Sequence, residues 1–332
     1  MTLYLGKTPV GLGRVVEKPV AKKKYGATVD SFLPDVSSYG SLSATTQESH
    51  LVFTGVKSIA ADALRYKFAY NKGVKTVVFP DLTTASGTYA FEYAFYYATG
   101  LTSISFPNLT SISGNYAAQY LVQRCSSLVT FDMPKLRSIA NSGLRYGCYY
   151  CTNLTTVNLP ALQTIGSGSL YYGFGYCSKL ETIDLPSVTT VADEGLRCAF
   201  AYCTSLKNIY FSSLTRLGNI TGATTSACTQ MCIGCTALET ITFPSLTMLY
   251  SASTFLQAFQ NCTNMKHIYF PALKSTGFNN KINHFNKMLS GVSGCTVHFP
   301  SNLESVIGSW ADITGGMAGT DTVILFDLPA TT

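Results

Sequence analysis

The sequence predicts an α/β solenoid of about nine to ten coils, each of roughly 26 residues with one short strand and one short helix. Three observations carry that prediction. Proline recurs at Pro80, Pro107, Pro134, Pro160, Pro186, Pro244, Pro271 and Pro300, with Ser212 where a further one is due, in steps of 27, 27, 26, 26, 26, 32, 27 and 29 residues. An apolar and polar alternation runs into each proline. A different apolar spacing, four residues and then three, fills the second half of the unit.

The alternation defines the strands. Leu or a substitute stands six before the proline, at Val74, Leu101, Leu128, Leu154, Leu180, Leu206, Leu238 and Met265, and an aliphatic or Phe stands three before, from Val77 to Ile268. Such alternation describes a short strand with one buried face, and proline, lacking the N–H that a ladder needs, closes it. Another apolar column follows two after the proline, from Leu82 to Leu273. In the second half, Phe91/Phe95/Ala98, Leu170/Phe174/Cys177, Leu196/Phe200/Cys203 and Phe255/Phe259/Cys262 would share one face of a helical turn or short helix.

This grammar closely resembles the leucine-rich repeat superfamily and, within it, the BspA-like group. Cys151-Thr-Asn-Leu154-Thr-Thr-Val157-Asn-Leu159-Pro160-Ala-Leu162-Gln-Thr-Ile165 and Cys177-Ser-Lys-Leu180-Glu-Thr-Ile183-Asp-Leu185-Pro186 carry the resemblance, which extends over residues 51–300. It implies a leucine-rich repeat solenoid for 51–300, flanked by a basic attachment or flexible segment at 1–50 and a C-terminal cap at 301–332. The cap is expected to end in a last strand at Thr322–Pro329, because an uncovered solenoid end exposes apolar surface and an unpaired edge.

Composition fits a chain that grows in one dimension: 12% of residues are charged, 46% are hydrophobic, and Ser and Thr fill outward strand positions. No apolar stretch has the length of a membrane span, so membrane insertion is not expected, and the first residues lack the pattern of a secretory leader. Lys7, Arg14, Lys18, Lys22, Lys23 and Lys24 face only Glu17 in the first 24 residues, which concentrates much of the +6 charge there. The repeats carry no basic stripe, so a nucleic-acid partner is not expected. The stretch Lys22–Asp35 is similar to lead-in segments of phage and prophage tail proteins. That resemblance implies attachment to other tail proteins through the N-terminal segment.

Eleven cysteines raise redox and metal chemistry. Six of them, Cys125, Cys151, Cys177, Cys203, Cys235 and Cys262, share one repeat position, which predicts a column of small buried thiols at the bend before each strand. Cys148 and Cys151, and Cys232 and Cys235, have the C-x-x-C spacing of metal ligands, yet the first of each pair falls at a core position and the pairs lie coils apart. No metal and no cofactor are expected.

Function is sought on the outward strand positions. Two and four before the proline, the side chains oppose the buried Leu and Ile, the side that leucine-rich repeat proteins commonly use for binding. Asp132, Asn158, Asp184, Tyr210, His267, Tyr269 and His298 are the candidate ligand-binding residues, because carboxylates and amides beside aromatic rings suit hydroxyl-rich ligands or polar protein surfaces. Ordinary solvated strand residues are the competing reading. Catalysis is not expected: no nucleophile, phosphate-loop or HExxH pattern is present, and an open sheet face leaves its carboxylates hydrated. Tyr70, Tyr97, Tyr150, Tyr176 and Tyr202 share the position before the cysteine column and, with Tyr93, Tyr146 and Tyr172, read either as ring contacts covering coil edges or as an adhesive stripe.

Two functional expectations follow from the resemblances. One is a phage or prophage tail-associated receptor-binding protein, located in the virion tail, whose repeats bind a bacterial cell-surface glycan or protein. The other is a BspA-like adhesin or interaction scaffold at the bacterial surface or outside the cell.

Overall fold

The computed structural model describes residues 4–5, 8–9, 27–29, 49–219, 226–250, 253–274, 284–307 and 319–331. The basic residues Lys7, Arg14, Lys18, Lys22, Lys23 and Lys24 lie outside these, as does most of the stretch Lys22–Asp35. The chain forms two compact units, Met1–Leu159 and Pro160–Thr332, and each is built as a parallel-strand β-solenoid.

In the first unit the long strands, His50–Phe53, Thr76–Val78, Ser103–Ser105, Thr130–Asp132 and Thr156–Asn158, pair in parallel in chain order. Register is the repeat itself: Val77 faces Ile104, Ile104 faces Phe131 and Phe131 faces Val157. Ala27–Val29 adds a further parallel strand beside Leu51–Phe53. A second ladder of two-residue strands, Ser58–Ile59, Thr84–Ala85, Ser111–Ile112 and Ser138–Ile139, follows the prolines.

The second unit repeats the plan. Its long-strand sheet runs Thr182–Asp184, Asn208–Tyr210, Thr240–Thr242, His267–Tyr269 and Thr296–Pro300, and it ends on Val323–Leu328, the strand expected near Thr322–Pro329. Its short ladder is Thr164–Ile165, Thr190–Val191, Arg216–Leu217 and Met248–Leu249.

The helix expected in each coil is absent among the described residues, where the one α-helix is the single turn Glu304–Ile307. In its place stands a ladder of turns. Alternate N–H groups bond locally, three residues back, as Arg65 to Asp62, Lys67 to Leu64 and Ala69 to Tyr66. The N–H groups between them reach the next coil, as Leu64 to Ala90 at 2.8 Å, Tyr66 to Glu92 at 3.0 Å and Phe68 to Ala94 at 2.8 Å. Every fourth residue takes positive φ: Asp62, Tyr66 and Tyr70, then Tyr89, Tyr93 and Tyr97, and in the second unit Glu194, Cys198 and Tyr202. The physical reason is spacing. Packed helices need about 8–10 Å between axes, whereas strands stack at about 4.8 Å, so a helix in every coil would force the coils to splay apart on that side. The turn ladder keeps pace and turns half of its N–H groups into bonds between coils.

The interior is a set of columns. Phe53, Phe79 and Phe106 stack at 4.3 and 5.0 Å in the first unit, and Phe243, Phe270 and Phe299 at 5.3 Å per step in the second. Each is shielded from water, and burial of such a ring contributes about 1.5–3 kcal/mol. The cysteine column is fully buried as expected, and its thiols bond backbone carbonyls. The thiols of Cys125 and Cys151 donate to the carbonyls of Phe95 and Val122, and those of Cys203, Cys235 and Cys262 to Phe174, Phe200 and Cys232, at 3.0–3.1 Å. A small side chain that fills the bend and caps a carbonyl of the preceding coil explains why cysteine recurs there. At Asn71, in the first of these positions, the side-chain oxygen instead accepts from the N–H groups of Gly73 and Val74 and closes the bend itself.

Candidate functional site

Alternation along the three-residue strands turns the central side chain inward and the other two outward. The outward columns contain the seven candidates, and the two units treat them differently.

In the first unit, Asp132 and Asn158 are half-buried and satisfied within their own column. The Ser105 hydroxyl donates to Asp132 Oδ2 at 2.6 Å and Asn158 Nδ2 donates to Asp132 Oδ1 at 2.7 Å. Residues paired in register thus form a polar ladder across three coils, with the carboxylate held between two donors.

In the second unit Asp184 and Tyr210 are register neighbours and both are exposed, Tyr210 by 49%. Further along, Tyr269 stacks on His298 with centroids 4.2 Å apart and planes within 12°. His298 itself is buried: Nδ1 meets Asp327 Oδ2 at 2.9 Å and Nε2 lies 3.2 Å from Nδ1 of the half-buried His267. Asp327 belongs to the last strand, so this group fastens the end of the sheet.

The same sheet opens at one point. Neighbouring long strands pair over three or more residues, except Asn208–Tyr210 and Thr240–Thr242, where Tyr210↔Thr242 is the single register pair. This step is the 32-residue one, entered at Ser212 instead of proline. The short ladder stays in register here, Arg216 with Met248 and Leu217 with Leu249, and the turn ladder continues, Cys198 to Thr229 and Phe200 to Met231. Only the long-strand side separates. Two adjoining clefts result, of about 220 Å³ beside Tyr210, Ser212 and Thr242 and about 480 Å³ beside Lys207, Glu239 and Asn264, with Asn208 and Thr240 common to both. The two charged side chains are already paired along the sheet, Lys207 with Glu181 at 3.0 Å and Glu239 with Lys266 at 2.7 Å.

Of the seven candidates, the cleft includes Tyr210. Lys207, Asn208, Glu239, Thr240 and Asn264 also line it and are not among the seven. The signal was present in the long repeat step and the missing proline.

The tyrosines line the turn ladder. Tyr66, Tyr93, Tyr120 and Tyr146 stack at 4.6, 4.3 and 5.0 Å, and Arg124 inserts between Tyr97 and Tyr150, 5.6 and 4.8 Å from their centroids. Burial raises the Tyr66, Tyr93 and Tyr96 hydroxyls above the usual phenol range. In the second unit Tyr176 stacks on Tyr202 at 4.7 Å, and the row then meets Gly234.

Several of the thiols are held in the protonated form. Burial pushes Cys232 up to about 11 and Cys295 to about 12, and raises Cys125, Cys203, Cys228, Cys235 and Cys262. Cys148 and Cys232, the first members of the C-x-x-C pairs, are core residues with no exposure. Among the described residues no helix is long and apolar enough to cross a membrane.

Residues 62–194, 145–272 and 173–308 match the family model described as BspA type leucine rich repeat region, in six copies. No curated protein sequence matches the chain. Among solved structures, a leucine-rich repeat protein of T. pallidum is 20% identical over 57% of this chain and 77% of its own, with a TM-score of 0.37. A leucine-rich repeat protein of Bacteroides ovatus is 18% identical, covering 90% of this chain and 92% of its own, at a TM-score of 0.29. A leucine rich cell surface protein of Faecalibacterium prausnitzii is 16% identical, covering 78% and 82%, at 0.21.

Proposed function

Because the chain belongs to the BspA-type leucine-rich repeat family, we propose that it is a non-catalytic recognition protein that adheres to a partner at the bacterial surface through the outward face of its long strands. Family membership supports adhesion or protein interaction as the role. The observation that carries the choice of surface is the exposed pair Asp184 and Tyr210, set side by side on the sheet and not consumed by a ladder as Asp132 and Asn158 are. A carboxylate acceptor beside an aromatic face binds polar partners without further rearrangement.

The virion-tail placement draws no support from the family match, and the stretch Lys22–Asp35 on which it rests is described only at Ala27–Val29. The cell-surface reading is therefore the one adopted.

The test is binding of the labelled full chain to intact bacterial and host cells, measured by flow cytometry beside the double variant Asp184→Ala, Tyr210→Ala. Saturable binding that falls at least tenfold in the variant is the expected result. Full binding by the variant would overturn the strand face as the contact surface, and no saturable binding to any cell would overturn the adhesive role.

A further inference from the structure

We propose that the opened step between Asn208–Tyr210 and Thr240–Thr242 is a binding site for a neutral sugar ring of a surface oligosaccharide. This rests on the recognition role above and names its ligand class. Three features of the site lead to it.

The first is shape. A continuous sheet face offers a flat row of side chains, but here one register pair survives between two strands and the face is recessed over two adjoining clefts. The larger, about 480 Å³, falls in the range of small-molecule sites. The recess is held by the fold rather than by a flexible loop, since the same two coils remain in register on the short ladder and in the turn ladder. A ligand entering it orders little of the protein, which keeps the entropic cost of binding low.

The second is the chemistry of the walls. Tyr210 presents a half-exposed ring, the surface on which the C–H face of a sugar packs. Around it stand groups that both donate and accept, the amide of Asn208 and the hydroxyls of Ser212, Thr240 and Thr242, and the adjoining cleft adds the amide of Asn264. Asp184, in register with Tyr210, adds a carboxylate that can only accept, and so suits a hydroxyl group. A ligand rich in hydroxyls on one side and C–H on the other matches each of these in turn.

The third is charge. The charged side chains of the clefts, Lys207 and Glu239, are paired with Glu181 and Lys266. Among the described residues that line the clefts the cation, Lys207, is already paired, and a phosphate, sulfate or sialic acid would approach Asp184 against its charge. The ligand is therefore neutral.

The experiment is a glycan array carrying neutral and anionic oligosaccharides, probed with the full chain, followed by titration calorimetry with the best neutral hit. Tyr210→Ala and Asn208→Ala should each weaken binding at least tenfold, while Tyr210→Phe, which keeps the ring, should stay within about threefold. Unchanged binding by Tyr210→Ala and Asn208→Ala, or loss on Tyr97→Ala in the turn ladder instead, would overturn the site. Preference for anionic glycans would overturn the ligand class. Saturable cell binding that is sensitive to Asp184→Ala, Tyr210→Ala but unaccompanied by any glycan binding would overturn the sugar and leave the recognition role standing. Absence of both cell and glycan binding would sink the two together.

Discussion

The two units of the molecule place the same outward repeat position in opposite states. In Met1–Leu159 the column Ser105, Asp132, Asn158 closes on itself, and the carboxylate lies between a hydroxyl and an amide. In Pro160–Thr332 the column Asp184, Tyr210, Thr242 has an exposed acid and an exposed ring at the point where the sheet opens. A repeat position therefore has no fixed role. Its side chain becomes scaffold or contact according to whether its neighbours one coil away can satisfy it.

The largest effect that would sharpen this contrast is kinetic. All eleven cysteines are buried, and at pH 8 a thiol whose pKa is pushed to about 11, as at Cys232, is about 100-fold less ionised than an ordinary one. Labelling of the native protein with a disulfide reagent should then be at least 100-fold slower than in denaturant. Mass spectrometry of partly labelled protein should find Cys198, in the second unit, modified before Cys125, in the first, because burial raises the Cys125 thiol further above the usual range. Uniform labelling of all sites, or early labelling of Cys125, would erase the difference between the units.

A smaller effect breaks the comparison at single residues. Asp132→Ala leaves Ser105 and Asn158 without their shared acceptor in a half-buried ladder and should cost about 1–3 kcal/mol. Asp184→Ala, at an exposed site, should stay within about 0.5 kcal/mol of wild type. Urea unfolding monitored by far-UV circular dichroism separates the two, and equal losses would mean that Asp184 is as much a scaffold residue as Asp132.

Much of this architecture was legible in the sequence because the repeat writes its register directly. The prolines, the Leu and Ile columns and the buried cysteines are each fixed by one position in each coil, and pairing such as Val77 with Ile104 follows from the period alone. The turn ladder was not legible as such. Spacing of four and then three in Phe91, Phe95 and Ala98 fits a helical face, and the competing sign was the strict interval of four in Tyr89, Tyr93 and Tyr97. Those tyrosines occupy left-handed positions that bulky residues ordinarily avoid, so no propensity argument would place them there. The candidate column was found but not its division, since whether Asp132 is satisfied depends on Ser105 and Asn158 standing one coil to either side. The opened step was visible only as a longer interval and a serine in place of a proline, with nothing in local sequence to say which edge of the coil would separate.

The tyrosine positions differ between the units in a way that one glycine tests. Tyr97 and Tyr150, flanking Arg124, fill the left-handed position before the cysteine column, whereas the row in the second unit runs Tyr176, Tyr202 and then Gly234 at φ +71°. A Cβ at Gly234 would stand 2.6 Å from Cδ1 of Tyr202, so the ring lies where a side chain would otherwise begin. Gly234→Ala therefore meets two penalties. The backbone conformation costs about 1–2 kcal/mol for an L residue, and the Tyr202 ring must swing aside from its stack on Tyr176. The rise in cost from ring displacement is limited, because Tyr202 is only partly buried and aromatic pairs contribute about 0.5–1.5 kcal/mol each. A loss of about 1–3 kcal/mol in urea unfolding is expected, with Tyr202→Ala in the same background recovering the part that comes from the collision. If Gly234→Ala were neutral, the left-handed positions of the ladder would be adaptable, and the tyrosines would be there for their exposed rings rather than for the stacking that bridges one coil to the next.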